Sequence, residues 1–278
     1  MSANIFFIAT AGSSASFWLA KVLSLHPKIH AFHSNESVPE PASHEYPYFS
    51  QPSELIDRLS QLAQSETCFI GAVHIYPWHD ATMKSIIEQH GGAFSGVLRN
   101  PLYRINSLHT HKVNLEMPVS RYGKQISFLI KFYSGLLGAL STKHVEFWMK
   151  LSTKHVEFLW NVHCVLSTES ELLDLPKKYI FKYEDIVVDR EEFSRLVAQI
   201  SEDQIECDES YLDEVFNYGK VNPHHAEVPE SIHDIYFGAW DNIQRYLFDV
   251  LMEYYDIKCN VKSKYTGVGY DIFPKQSN

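Results

Sequence analysis

The sequence predicts an α/β protein in which helices flank a central parallel β-sheet. Short apolar runs, typical of buried strands, alternate with segments whose apolar side chains recur at the spacing of a helix. Such alternation is typical of parallel strands joined by helical crossovers. The 278 residues, 45% hydrophobic and 21% charged, are enough for one large core. We therefore expect a single domain over residues 1–278, with its core at about 4–250 and a C-terminal tail at about 260–278.

The individual elements follow from these two patterns in chain order. Short, mainly apolar segments predict four strands, namely Ile5–Ala9, Cys68–Val73, Phe94–Arg99 and Tyr179–Tyr183. Helical spacing predicts six helices, namely Ser16–Leu25, Glu54–Gln64, Ala81–His90, Leu102–His111, Gly123–Leu166 and Arg190–Gln199. Prolines indicate a long loop at about 33–53 and a second one around Pro223 and Pro229. Long loops of this kind commonly shape a binding pocket.

Two stretches combine a strand end with groups that bind anions. The first strand leads through the small residues Gly12–Ala15 into a helix with Trp18 near its start, so that several backbone N–H groups would face a bound oxyanion. The second stretch places Arg99 just after an apolar strand and Ser107 eight residues later. A guanidinium and a hydroxyl in this arrangement are typical of a phosphate site. Together the two stretches predict a site that binds one nucleotide at both of its ends.

These stretches carry a resemblance to a known family. Phe6–Pro27 and Val97–Ser107 resemble the cofactor-binding segments of sulfotransferases that use 3′-phosphoadenosine 5′-phosphosulfate (PAPS). A third segment, Lys178–Val187, resembles the strand and helix start that follow in that family. The resemblance spans roughly residues 4–250. It implies a P-loop NTPase-like sulfotransferase fold and an enzyme that transfers a sulfuryl group from PAPS to a hydroxyl or amine of a small molecule, such as a secondary metabolite or alkaloid, leaving 3′,5′-adenosine bisphosphate.

The resemblance also implies a set of site residues. The loop would hold the 5′ end of the cofactor, Trp18 would stack on adenine with Tyr183 beside it, and Arg99 with Ser107 would bind the 3′-phosphate. Core packing is the alternative role for Trp18, and a surface ion pair is the alternative for Arg99. The complete cofactor-binding set is Gly12, Ser13, Ser14, Ala15, Ser16, Phe17, Trp18, Arg99, Ser107 and Tyr183.

His74 is the candidate catalytic base. It follows the apolar run that ends at Val73, it matches the family position whose imidazole takes the acceptor's proton, and its ordinary pKa suits that task. His33, His79 and Glu36 remain competitors, since relatives that lack the histidine use a carboxylate.

The sequence departs from the family pattern at positions where charge is expected. Ser13 stands where a lysine or arginine is usual, Ala15 replaces a glycine, and Ala72 replaces a lysine that often precedes the histidine. Substitutes for the missing cations could come from Lys21, Lys112, His79, Lys220 or the pair His224 and His225. These departures keep open a non-catalytic relative that binds a nucleotide or metabolite.

Other features exclude further classes. A formal net charge of −10 argues against nucleic-acid binding. The sequence contains no Gly-x-x-x-x-Gly-Lys-Ser/Thr motif, which argues against a kinase or NTPase. The four cysteines are scattered without paired spacing, which argues against disulfides or a metal site and indicates a reducing cytoplasm. No apolar run is long enough for a membrane span.

The sequence contains one internal repeat, in which Leu140–Phe147 recurs as Leu151–Phe158. An offset of 11 residues would present both copies on one face of a helix. His144 and His155 would nevertheless be too far apart to share a metal ion.

Overall fold

The computed structural model describes residues 4–10, 16–33, 59–63, 68–75, 94–113, 152–219 and 231–273. Five strands in these ranges form one all-parallel sheet in the order β2-β3-β1-β4-β5. The strands are β1 (Ile5–Thr10), β2 (Ile29–His33), β3 (Phe69–Ile75), β4 (Phe94–Leu98) and β5 (Ile180–Lys182). The predicted α/β class, with a central parallel sheet flanked by helices, is confirmed.

The described helices include most of those predicted and several that were not. They are α1 (Ser16–Leu23), α2 (Pro101–Val113), α3 (Thr153–Leu172), α4 (Tyr183–Ile186), α5 (Arg190–Ile200), α6 (Glu209–Asn217), α7 (Asn242–Cys259) and α8 (Val261–Gly267), with a 3₁₀ turn at Lys177–Tyr179 and a π-helical turn at Asp234–Ala239. Residues 59–63 are also helical. The predicted helix at 81–90 and residues 123–151 of the long predicted helix lie outside the described ranges. Over the part of the chain that is described, every helix is too short or too polar to serve as a bilayer-spanning segment.

The chain divides into two compact units. The first comprises Met1–Asn100 with Thr168–His224 and contains the sheet. The second comprises Pro101–Ser167 with His225–Asn278 and is helical where it is described.

The core of the first unit lies on the face of the sheet that α1 and α5 cover. Phe6 and Ile8 of β1 and Val73 of β3 pack there with apolar residues of both helices and of α6. All six residues of β1 are buried, which is expected for a strand in the middle of a parallel sheet with both faces covered.

In the second unit, the start of α7 is held by a helix cap and by contacts from α3. Asp241 caps this helix, because its side chain accepts hydrogen bonds from the backbone N–H groups of Ile243 and Gln244, while the Gln244 side chain accepts one from the Asp241 N–H. His155 Nε2 lies 3.1 Å from the same carboxylate. Phe158 is buried edge-on against Trp240. The second copy of the repeated segment therefore contacts the helix cap through His155 and Lys154 and the core through Phe158, whereas the first copy lies outside the described residues.

Gly71 is the position in the sheet where a side chain is least tolerated. It pairs directly with Phe6 across β3 and β1, and a Cβ at Gly71 would overlap the fully buried Phe6 ring. We expect Gly71→Ala to reduce the free energy of unfolding by about 3 kcal/mol, the upper part of the usual range for overpacking. Denaturant melts would measure the loss.

Gly96→Ala is the matched control, since Gly96 lies in β4 of the same sheet. A Cβ there would be 3.1 Å from Leu175 Cδ1, the end of a side chain that can move by a few tenths of an ångström. Its loss should be clearly smaller than that of Gly71→Ala. Equal losses would show that the Phe6 contact is not the cause.

Candidate functional site

The path of the chain through the sheet indicates where a ligand crevice is expected, at the carboxyl end of β1. After β1 the chain crosses past β3 to reach β2, whereas after β3 it crosses past β1 in the opposite direction to reach β4. Right-handed crossovers in opposite directions lie on opposite faces of a sheet. In open α/β sheets the ligand crevice forms where neighbouring connections separate in this way, beyond the carboxyl ends of the strands.

Four buried polar side chains meet at this edge. A hydrogen bond of 2.9 Å joins Thr10 Oγ1, at the end of β1, to His74 Nδ1 in β3. Another of 2.9 Å joins Ser16 Oγ, at the start of α1, to His33 Nε2 at the end of β2. The two imidazoles stack on each other with ring centroids 5.0 Å apart and an angle of 11° between their planes. Their exposed fractions are 0% for Thr10, 6% for Ser16 and 5% for each histidine, so water has little access to the group.

A bulge in β3 directs His74 into this cluster. Ile8 pairs with Val73 and Ala9 with Ile75, so His74 is an extra residue between two regular pairs. Val73 faces the α1 side of the sheet, and the next residue of a regular strand would face the other side. His74 instead has φ of +74°, and its ring reaches Thr10 and His33. Bulges commonly redirect a side chain next to a functional site.

The cluster has the chemistry of a proton acceptor. A hydroxyl engages one nitrogen of each imidazole, Nδ1 in His74 and Nε2 in His33. Such a bond fixes the orientation of a ring, and a neutral imidazole can accept a proton at neutral pH.

A second group of side chains lies at the ends of β4 and β5. The Arg99 guanidinium lies over the Tyr183 ring, 5.4 Å from its centroid. Trp18 packs edge-on against Tyr183 at 6.5 Å between ring centroids, and against Phe193 of α5 at 6.4 Å. Trp18 and Tyr183 are both partly buried against the core of the first unit. The group therefore combines a cation with two aromatic rings that keep some exposed surface.

Glu184 braces the strand ends that carry this group. Its carboxylate accepts a hydrogen bond of 2.9 Å from the backbone N–H of Asn100, the residue after Arg99. Tyr183, whose ring Arg99 contacts, is the first residue of α4 and directly follows β5. The hydrogen bond from Asn100 to Glu184 therefore links the ends of β4 and β5 next to the contact between Arg99 and Tyr183. Burial raises the pKa of the Tyr183 hydroxyl, and the nearby Arg99 opposes part of that rise. The hydroxyl therefore stays protonated at neutral pH and can donate a hydrogen bond.

The structure distributes the predicted site residues over several places. Ser16 bonds to His33, and Phe17 lies edge-on to the His33 ring at 5.6 Å with Lys21 Nζ 5.3 Å from the Phe17 centroid. Ser107 lies on α2 in the second unit, and its buried hydroxyl oxygen has no hydrogen-bond partner among the described residues. The following candidates lie outside the described residues: Gly12, Ser13, Ser14, Ala15, Glu36, His79, Lys220, His224 and His225.

Thr10 is a site residue that the sequence analysis missed. The available signal is a polar residue that directly continues a buried apolar strand. His33, named only as a competitor of His74, is now its stacking partner. Within the described ranges, no group of three histidine, cysteine or acidic side chains could hold a metal ion.

Comparison of the chain with protein-family models gives no match, and comparison with curated proteins gives none either. The functional argument therefore rests on the residues and their geometry.

Proposed function

We propose that this protein is a PAPS-dependent sulfotransferase of the P-loop NTPase-like fold that modifies a hydroxyl or amine of a small molecule. The observation that carries the proposal is the register of β1 and β4. Thr10, which holds His74, pairs with Val97, and Arg99 follows two residues later on the neighbouring strand. A candidate base and a candidate phosphate ligand thus flank the same strand end.

The aromatic and cationic group suits the nucleotide half of PAPS. An adenine stacked on an exposed aromatic ring gains about 1 to 3 kcal/mol, and Trp18 with Tyr183 offers such a surface. Arg99 beside that surface suits a phosphate on the ribose, because a guanidinium donates two parallel hydrogen bonds to an oxyanion. In the second unit, the Ser107 hydroxyl is buried and has no hydrogen-bond partner among the described residues, so that it can donate to an anion.

The histidine cluster suits the acceptor half of the reaction. The acceptor oxygen or nitrogen forms a bond to sulfur while the bond from sulfur to the phosphate oxygen breaks, and the acceptor's proton passes to His74. The products are the sulfated acceptor and 3′,5′-adenosine bisphosphate. Ser13 and Ala72 lack the usual positive charges, and the backbone N–H groups at the start of α1 can supply positive potential for the leaving group.

The four cysteines support a cytoplasmic location for this activity. They are scattered along the chain without paired spacing, which is typical of a protein from a reducing compartment.

A non-catalytic nucleotide-binding relative is the second candidate. The observation in its favour is the burial of both imidazoles, each 5% exposed, because a base must reach its substrate. Such a protein would bind the nucleotide equally well and transfer nothing.

The selectivity of nucleotide binding tests both candidate functions against other functions that this fold could serve. Thermal melts with 3′,5′-adenosine bisphosphate and with AMP compare ligands that differ only in the 3′-phosphate. A ligand at 100 times its dissociation constant stabilises the native state by about 2.7 kcal/mol. We expect a clear rise in Tm with the bisphosphate and a much smaller one with AMP at the same concentration. Equal shifts, or none, would exclude the PAPS site, and transfer of labelled sulfate to a panel of acceptors then separates enzyme from binding protein.

A further inference from the structure

The stacked pair of His33 and His74 has structural features that a single catalytic base would not need. Their planes are nearly parallel and their centroids lie 5.0 Å apart. The bulge at His74 places it in the left-handed region at φ of +74°, a conformation that is unfavourable for a residue with a side chain. Packing alone would not need this conformation, because a regular strand would bury an apolar residue there.

The distance between the rings determines how many protons the pair can hold. With an effective dielectric constant of about 20, two imidazolium charges 5.0 Å apart repel enough to separate the two protonation steps by about two pH units. One charged ring stacked on one neutral ring has no such penalty, since a cation over an aromatic face is favourable.

Two cations and the end of a helix near the pair also disfavour a second charge. From β1 and α1 the pair meets the neutral hydroxyls of Thr10 and Ser16. Lys21 of α1 lies over the Phe17 ring that abuts His33, and Arg99 follows β4 at the same edge of the sheet. Both of these side chains are positive, as is the N-terminal end of α1.

We propose that His33 and His74 work as one coupled pair that holds a single proton, with His33 as the positioning residue that orients His74 and keeps a doubly charged state out of the site. The catalytic part of this inference rests on the proposed function, because it makes the pair the acceptor of the substrate's proton. The coupling itself belongs to the free protein and does not depend on that function. Ser16 extends the arrangement by holding the far ring, as Thr10 holds the near one.

The test is an NMR pH titration of the free protein labelled in its histidines. We expect the Cε1 signals of His33 and His74 to move over the same pH interval, with a second movement about two pH units lower. In His33→Phe, which retains a stacked ring, His74 should titrate in one simple step. In His74→Asn, His33 should do the same. His30→Phe, on the exposed side of β2, is the control and should leave both signals unchanged.

Two independent titrations in the wild type, or an unchanged curve for His74 in His33→Phe, would overturn the coupling. The wild-type titration decides the matter even if a variant fails to fold. Coupled titration in a protein that transfers no sulfate would disprove the proposed function and leave the pair standing. Sulfate transfer by a protein whose histidines titrate independently would do the reverse.

Discussion

His74→Asn is expected to lower sulfate transfer by about 10²- to 10⁴-fold, the usual contribution of a general base, while the affinity for 3′,5′-adenosine bisphosphate stays within a factor of two or so. The affinity should be retained because His74 contacts Thr10 on β1, whereas the predicted nucleotide-binding group consists of Arg99, Trp18 and Tyr183. Initial rates on an active acceptor and titration calorimetry with the bisphosphate would measure the two effects separately.

Asparagine is the better replacement because of the backbone. At φ of +74° an alanine would remain in an unfavourable conformation, whereas asparagine occupies the left-handed region more readily and keeps a polar group near Thr10. His74→Ala should therefore lose activity to the same degree but also some stability. His30→Asn removes an exposed histidine from the neighbouring β2 and should change neither property.

Retained transfer in His74→Asn would remove His74 from the role of base. The next variant would then be His33→Asn, since His33 lies in the same cluster and its ring is stacked on His74. Loss of both transfer and bisphosphate binding in a folded His74→Asn protein would instead indicate that the cluster holds the nucleotide.

The strands β1 and β4 could be predicted from the sequence to within one residue, whereas β3, predicted as Cys68–Val73, is observed as Phe69–Ile75. β1 was predicted as Ile5–Ala9 and observed as Ile5–Thr10, and β4 was predicted as Phe94–Arg99 and observed as Phe94–Leu98. Both are mainly apolar and buried at every residue, as expected for strands covered on both faces of the sheet. β2 has no such run: His30 is exposed and His33 is polar, so its five residues resemble a loop.

The site could be predicted one residue at a time but not as an arrangement. Arg99 was named from its place at a strand end and Tyr183 from the family resemblance, and their contact could not be read from the sequence because it depends on β4 pairing with β5. The partnership of His33 and His74 depends on the unpredicted β2 lying beside β3 and on one extra residue in a bulge. The bulge consists of one extra residue in β3, and no local pattern of residue types specified it.

Arg99→Ala is expected to weaken binding of 3′,5′-adenosine bisphosphate by about 10- to 150-fold, which corresponds to the 1.5–3 kcal/mol of a hydrogen bond to a charged group. AMP should lose less than about threefold, because it lacks the 3′-phosphate that the guanidinium is proposed to hold. The adenine contact should remain, since Trp18 also packs on Phe193 and keeps its place without the cation. Binding isotherms for the two nucleotides at one ionic strength would give the ratio.

Arg190→Ala is the matched control for the lost positive charge. Arg190 lies at the start of α5, where it is paired with Glu209 and Asp213, and its removal alters the net charge by the same amount. It should leave both affinities unchanged, so that a loss seen only in Arg99→Ala is local. Arg99→Lys should recover part of the bisphosphate affinity, because an ammonium supplies the charge without the paired donors of a guanidinium. Equal losses for AMP and the bisphosphate in Arg99→Ala would mean that Arg99 supports the aromatic group through Tyr183 rather than contacting a 3′-phosphate.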